Sequence, residues 1–171
     1  FDFLVAGERD VAGLTLPASG TPTLTTTPAD ARVASVWRTE TTGRIDEDGR
    51  LQATVTEEVT GDIEVFLRFA FRSAGRQQWE SLVRALPLGK RQGATIADLV
   101  VAPPDETATP FRLAYRYTVD GFVDWSRGTL LPPLPMEIPE IPPDDADDPI
   151  DTGGIGSTVM VTRLELPERI E

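Results

Sequence analysis

From Val33 onward, apolar and polar residues alternate with the period of two that belongs to a pleated strand. Val33, Ser35, Trp37, Thr39 and Thr41 interleave with Ala34, Val36, Arg38 and Glu40, a pattern that runs to about Ile45. Asp46-Glu47-Asp48-Gly49 then supplies residues that tolerate the left-handed backbone of a tight turn. Leu51, Ala53, Val55 and Glu57 interleave with Gln52, Thr54, Thr56 and Glu58 on the far side. The spacing predicts a β-hairpin.

The pattern changes near residue 62. Ile63, Val65, Leu67, Phe69 and Phe71 fit a strand, whereas Ile63, Phe66, Leu67, Ala70 and Ala74 fit one face of a helix. The residues after Gly75 decide between them: Gln77, Gln78, Trp79, Glu80, Leu82, Val83 and Leu86 fit only a helix, stopped by Pro87 and Gly89. Residues 62–86 therefore read as two short helices separated at Gly75. Arg68, Arg72 and Arg76, four apart, read as their solvated or acid-paired face.

Three further strands are expected. Ala94–Ala102 carries Ile96, Leu99, Val100 and Val101 and ends at Pro103-Pro104. Phe111, Leu113, Tyr115 and Tyr117 alternate with Arg112, Ala114, Arg116 and Thr118. Asp120-Gly121 reads as a second hairpin turn, returning the chain as a strand from Phe122 to Leu131 that includes Trp125.

Periodicity is lost on either side of this block. Residues 1–31 are Thr-rich and broken by proline, which suits an irregular connector or edge strands. Residues 132–154, with their prolines and aspartates, read as an extended acidic loop, partly polyproline II. Residues 155–167 resume alternation, with Thr158, Met160, Thr162, Leu164 and Leu166 against Val159, Val161 and Arg163, so a last strand pairs back onto residues 32–131. The order gives an α+β fold: a mostly antiparallel sheet or sandwich with a helical pair at about 62–86 inserted between strands.

Composition narrows the chemistry. The chain has 171 residues, 40% of them apolar, enough for one self-sufficient core. Its 28 acidic and 16 basic residues give a formal charge of −12. Such a surface repels phosphate backbones and anionic lipid, and Lys90-Arg91 is too small a basic cluster to offset it. Nucleic acid is excluded as a partner on this ground. Cysteine and histidine are both absent. That removes thiolate nucleophiles, His-dependent triads, the usual zinc sites and disulfides. No cofactor is implied. No apolar run is long enough for a membrane span. Phe1-Asp2-Phe3-Leu4-Val5 has neither the basic region nor the length of a signal peptide, and the chain reads as a piece of a longer polypeptide.

Several stretches, in order, carry a likeness: Pro28-Ala29-Asp30-Ala31 leading into a strand, Ile45-Asp46-Glu47-Asp48-Gly49-Arg50-Leu51, and Val59-Thr60-Gly61 followed by Leu67-Arg68. Leu130-Leu131-Pro132-Pro133-Leu134 and Asp148-Pro149-Ile150-Asp151, before a strand ending at Leu166-Pro167, complete the series. Over about residues 10–167 the chain resembles the segment C-terminal to the catalytic core in bacterial transglutaminase-like proteins that carry an N-terminal DUF3857 domain. The resemblance implies a periplasmic or secreted location and a papain-like core in the same polypeptide as partner. The Cys, His and Asp of such a core do not carry over to a chain without Cys or His. It also implies structural roles for Gly61, as a helix start, and Arg68, as an intramolecular charge partner.

Candidate sites each face a plainer reading. Asp144, Asp145, Asp147, Asp148 and Asp151 offer clustered oxygens for calcium, but lack EF-hand spacing and read first as a solvated loop. Asp46, Glu47 and Asp48 are already explained by their turn. No motif singles out a carboxylate pair for glycoside hydrolysis. Trp37, Trp125, Tyr115 and Tyr117, with Trp79, offer an aromatic platform for a sugar, yet large aromatics in strands usually build the core. Gly153-Gly154-Ile155-Gly156-Ser157 lacks the lysine and flanking elements of a phosphate loop and reads as a turn or hinge.

The expected function is thus a non-catalytic accessory or interaction domain of an extracytoplasmic transglutaminase-like protein, with an apolar patch left exposed. The alternative is a glycan- or peptide-binding β-sandwich module at the cell surface. An enzyme in its own right ranks last, since it would rest on carboxylates, Tyr or Arg alone.

Overall fold

The computed structural model describes residues 4, 6–86, 93–127 and 156–168. Seven strands and two α-helices lie in them. Strands β1 (Ala12–Thr15) and β2 (Thr23–Thr26) form a separate two-stranded ribbon, with Leu14 opposite Leu24. The main sheet contains β3 (Ser35–Ile45), β4 (Leu51–Thr60), β5 (Ala94–Val101), β6 (Phe111–Val119) and β7 (Gly156–Glu165). Its strand order is β5-β6-β4-β3-β7, antiparallel throughout except for the parallel pair β3–β7.

The β3–β4 hairpin forms as the alternation predicts. Asp46 closes its turn by accepting the Asp48 and Arg50 amides on Oδ1, at 3.1 and 2.9 Å. Gly49 sits at φ +76°, with the Val123 carbonyl where a β-carbon would be. Along β4 every second residue from Leu51 to Val59 is buried, and β6 repeats this from Phe111 to Val119. These rows, with Ile45 and Ile96, make the floor of the core.

Helices α1 (Gly61–Ser73) and α2 (Trp79–Ala85) roof that floor through Leu67, Phe71 and Val83. A 3₁₀ turn at Arg76–Gln78 comes after Gly75 and leads into α2. The Phe71 ring lies 5.4 Å from that of Phe111 and 5.7 Å from that of Trp79. Trp79 donates its indole N–H to the Phe71 carbonyl at 2.9 Å. The fold is therefore α+β, with a helical pair covering the core face of one mostly antiparallel sheet.

Three expectations need correction. The strand expected over Phe122–Leu131 is absent from its described part, and Trp125 lies in a 3₁₀ turn at Trp125–Arg127. Strand β6 is already bonded on both sides, by β4 and β5, so no edge is free to receive a hairpin partner. Phe122 and Val123 instead tuck into the core, and the Val123 amide donates to Gly49 O at 3.0 Å. Gly156 and Ser157, read as part of a hinge, open β7. Phe66, assigned to the helix's inner face, points to solvent, while Arg68 is 7% exposed and paired with Glu64, the acid-paired and not the solvated form of its reading.

Candidate functional site

Glu57 lies on the core face of β4 and is 3% exposed. Its diagonal neighbours on the flanking strands reach it from both sides. Trp37 on β3 donates its indole N–H to Oε2 at 2.9 Å, and Tyr115 on β6 donates its hydroxyl to Oε1 at 2.8 Å. Burial pushes the Glu57 carboxyl up from its ordinary value, partly offset by the two hydrogen bonds. Burial, with the Glu57 charge beside it, also raises the Tyr115 phenol. Both carboxylate oxygens are occupied, so this group serves the protein interior as a polar tie between three strands.

A cavity of about 650 Å³ lies on the opposite face of the sheet. Thr42, Gln52, Thr54 and Thr118 line it, with Arg44 and Arg116 from β3 and β6. Arg116 is engaged by Asp98 at 2.5 Å. The sheet itself thus separates the shifted Glu57–Tyr115 pair from this open space.

The third feature is apolar. Helix α1 carries Ile63, Val65, Phe66, Leu67, Phe69 and Phe71 within nine residues. A helix has only one inward stripe, and Leu67, Phe71 and Arg68 occupy it. Phe66 and Phe69 are left 70% and 68% exposed, with Val65 beside them. On the β1–β2 ribbon, Leu14, Leu16 and Leu24 are also exposed, Leu24 at 77%. Arg9, just before the ribbon, grips Asp62 in the first turn of α1 with two bonds of 2.6 and 3.0 Å. This ion pair ties the segment just before the ribbon to the start of the helix.

The structure disperses the residues singled out from sequence. Tyr115 and Tyr117 are buried among the core side chains and offer nothing to a sugar. Trp37 and Trp125 are half-buried, with their indole N–H groups given to Glu57 and to the Asp46 carbonyl. These four do not form a platform. Asp144, Asp145, Asp147, Asp148 and Asp151 lie outside the described residues. Among the described residues no three acidic side chains gather to hold a metal ion, and no helix is long and apolar enough to cross a membrane. Phe66 and Phe69 were the surface that sequence reasoning missed, and the signal was six large apolar residues from Ile63 to Phe71, more than one inward stripe can hold.

Gly61 opens α1 at φ +71°, and Arg68 bonds Glu64 within the same helix. No family model, no curated protein and no solved structure matches the chain. The resemblance to transglutaminase-like proteins rests on the sequence stretches alone.

Proposed function

We propose that this chain is a non-catalytic interaction domain that docks on a neighbouring protein surface through the outer face of α1 and the β1–β2 ribbon. The observation that carries it is the exposure of Phe66 and Phe69 on one helix face. Burying a phenylalanine is worth about 1.5–3 kcal/mol, so two left in water on a rigid helix are a standing drive to associate. The ribbon supports the same reading. A two-stranded hairpin is marginal alone in water, and this one shows leucines to solvent on both of its strands.

The partner is proposed from the sequence resemblance: a transglutaminase-like catalytic core in the same polypeptide, outside the cytoplasm. The chemistry would then belong to that core, and the present chain would shape or shield it. With neither Cys nor His, the chain cannot itself supply the Cys–His pair of such a core.

The test is to produce the full polypeptide and a Phe66→Asp, Phe69→Asp form of it. Thermal melts and limited proteolysis then report whether core and domain are coupled. A coupled transition in the parent that splits in the double variant supports the reading. Independent melting of the two parts in the parent would sink it.

A further inference from the structure

The two edges of the main sheet are finished differently. At the β5 edge the register breaks between Ala97 and Val100, Asp98 adopts φ +51°, and its carboxylate is held by Arg116 at 2.5 Å. A bulge and a charge at an edge are the devices that stop another strand from adding. Strand β7, at the other edge, has no bulge, and its charges, Arg163 and Glu165, are of opposite sign near its end. It pairs with β3 without a break from Ser35↔Gly156 to Arg44↔Glu165, and it contains no proline, lysine or bulge. Among the described residues nothing bonds to its outer side. Every second residue of this strand thus turns its amide and carbonyl outward without a partner among the described residues, with Val159, Met160 and Val161 at the strand's middle.

We propose that β7 is completed by β7 of a second copy of this chain, joining two five-stranded sheets into one across a two-fold axis. A two-fold axis brings identical strands together antiparallel, the geometry in which an edge accepts a partner most readily. The side chains allow it. With Val161 opposite its own copy, Arg163 faces Val159, Glu165 faces Ser157, Met160 faces Thr162 and Thr158 faces Leu164, so no like charges meet. The local charge also permits this edge. The chain as a whole carries −12, which sets a general repulsion between copies. The solvent face of β3 and β7 instead carries Arg38, Arg44 and Arg163 against Glu40 and Glu165. This surface is distinct from the α1 face, so either reading can fail alone.

The experiment is sedimentation equilibrium of the chain from micromolar to sub-millimolar concentration, with Val159→Lys and Val159→Glu alongside. Val159 is on the solvent face and partly exposed, so both substitutions leave the fold intact, as circular dichroism will confirm. The lysine sets like charges against Arg163 of the other copy at two symmetric places and is expected to weaken the dimer by about fivefold or more. The glutamate gives Arg163 a counter-charge and is expected to keep or tighten it. Hydrogen exchange of residues 156–165, slowing as concentration rises, tests the same edge without any substitution. A chain that stays monomeric throughout overturns the proposal. So does a dimer indifferent to both substitutions, or one broken instead by Phe66→Asp, Phe69→Asp.

Discussion

Tyr115 gives its hydroxyl to Glu57 across 2.8 Å in a part of the core where neither side chain meets water. Burial raises the Glu57 pKa above its ordinary 4.5. A group so shifted binds its proton more tightly in the native state than in the unfolded one. Its contribution to stability is fully present below pH 4.5 and is lost as pH rises through the native pKa. Glu57→Gln removes this ionisation. Melting temperatures of parent and variant should therefore converge in acid, and the parent should fall behind the variant as pH climbs above 4.5. A difference that stays constant with pH would refute the assignment.

The same constellation predicts the effect of truncation. Glu57→Ala leaves the buried Tyr115 hydroxyl and the half-buried Trp37 indole N–H without an acceptor, at about 1–3 kcal/mol for the hydroxyl and less for the indole. Adding Tyr115→Phe removes one orphan, so the double variant should be less destabilised than the sum of the two single ones. Urea titrations of the four proteins close the cycle.

Arg68 poses a different problem, a guanidinium inside a helix–sheet interface. It bonds Glu64 at 2.8 Å and caps the carbonyls of Pro103, Pro104 and Thr109 at 3.2, 3.3 and 2.6 Å. It thereby fixes the β5–β6 connection against α1 while lying 5.1 Å over the Phe111 ring. Arg68→Ala is expected to cost about 3 kcal/mol, because the carbonyls and Glu64 lose their donor together. Arg68→Lys should recover only part of this, since one ammonium cannot reach that fan of acceptors. Hydrogen exchange over residues 102–110 should quicken in both variants.

How far the sequence reached depends on where each cause lies. The β3–β4 hairpin, the break at Gly75 and β6 are written in local alternation and turn residues, and they form as read. The strand expected after Gly121 was not local in this sense. Phe122, Val123 and Trp125 have acceptable strand spacing, but whether a strand forms depended on β6 already having β4 and β5 as neighbours. In α1 the large apolar residues outnumber what one stripe can hold, and periodicity put Phe66 on the inner face and Arg68 on the outer one. The opposite choice is made by carbonyls 35 to 41 residues away in sequence. Glu57 stood at a buried position of its strand, but the partners that make burial tolerable sit on two other strands. The parallel pairing of β7 with β3 was likewise invisible to alternation, which is the same for either direction.

Gly61 gives a further test. It begins α1 at φ +71°, and a β-carbon there would come within 2.6 Å of Ser35 Cα and Oγ. Ser35 cannot retreat, because its Oγ accepts the Asp62 amide at 2.9 Å and its own strand is paired with β7. Gly61→Ala combines backbone strain with this clash and should cost about 2 kcal/mol or more, seen as a lowered melting temperature.

Phe66, Phe69 and Phe71 lie within two turns of one helix yet should answer mutation in opposite ways. Phe71 is 1% exposed and packed against Phe111 and Trp79, so Phe71→Ala should destabilise the isolated domain by about 3–5 kcal/mol. Phe66→Ser and Phe69→Ser touch no core contact and should each change its stability by less than about 0.5 kcal/mol. In the full polypeptide the same two serine substitutions should lower the melting temperature of the neighbouring part, because there the rings are proposed to be buried. Serine variants that destabilise the isolated domain as much as Phe71→Ala would mean that this helix face is core after all. Serine variants silent in both contexts would remove it as a docking surface.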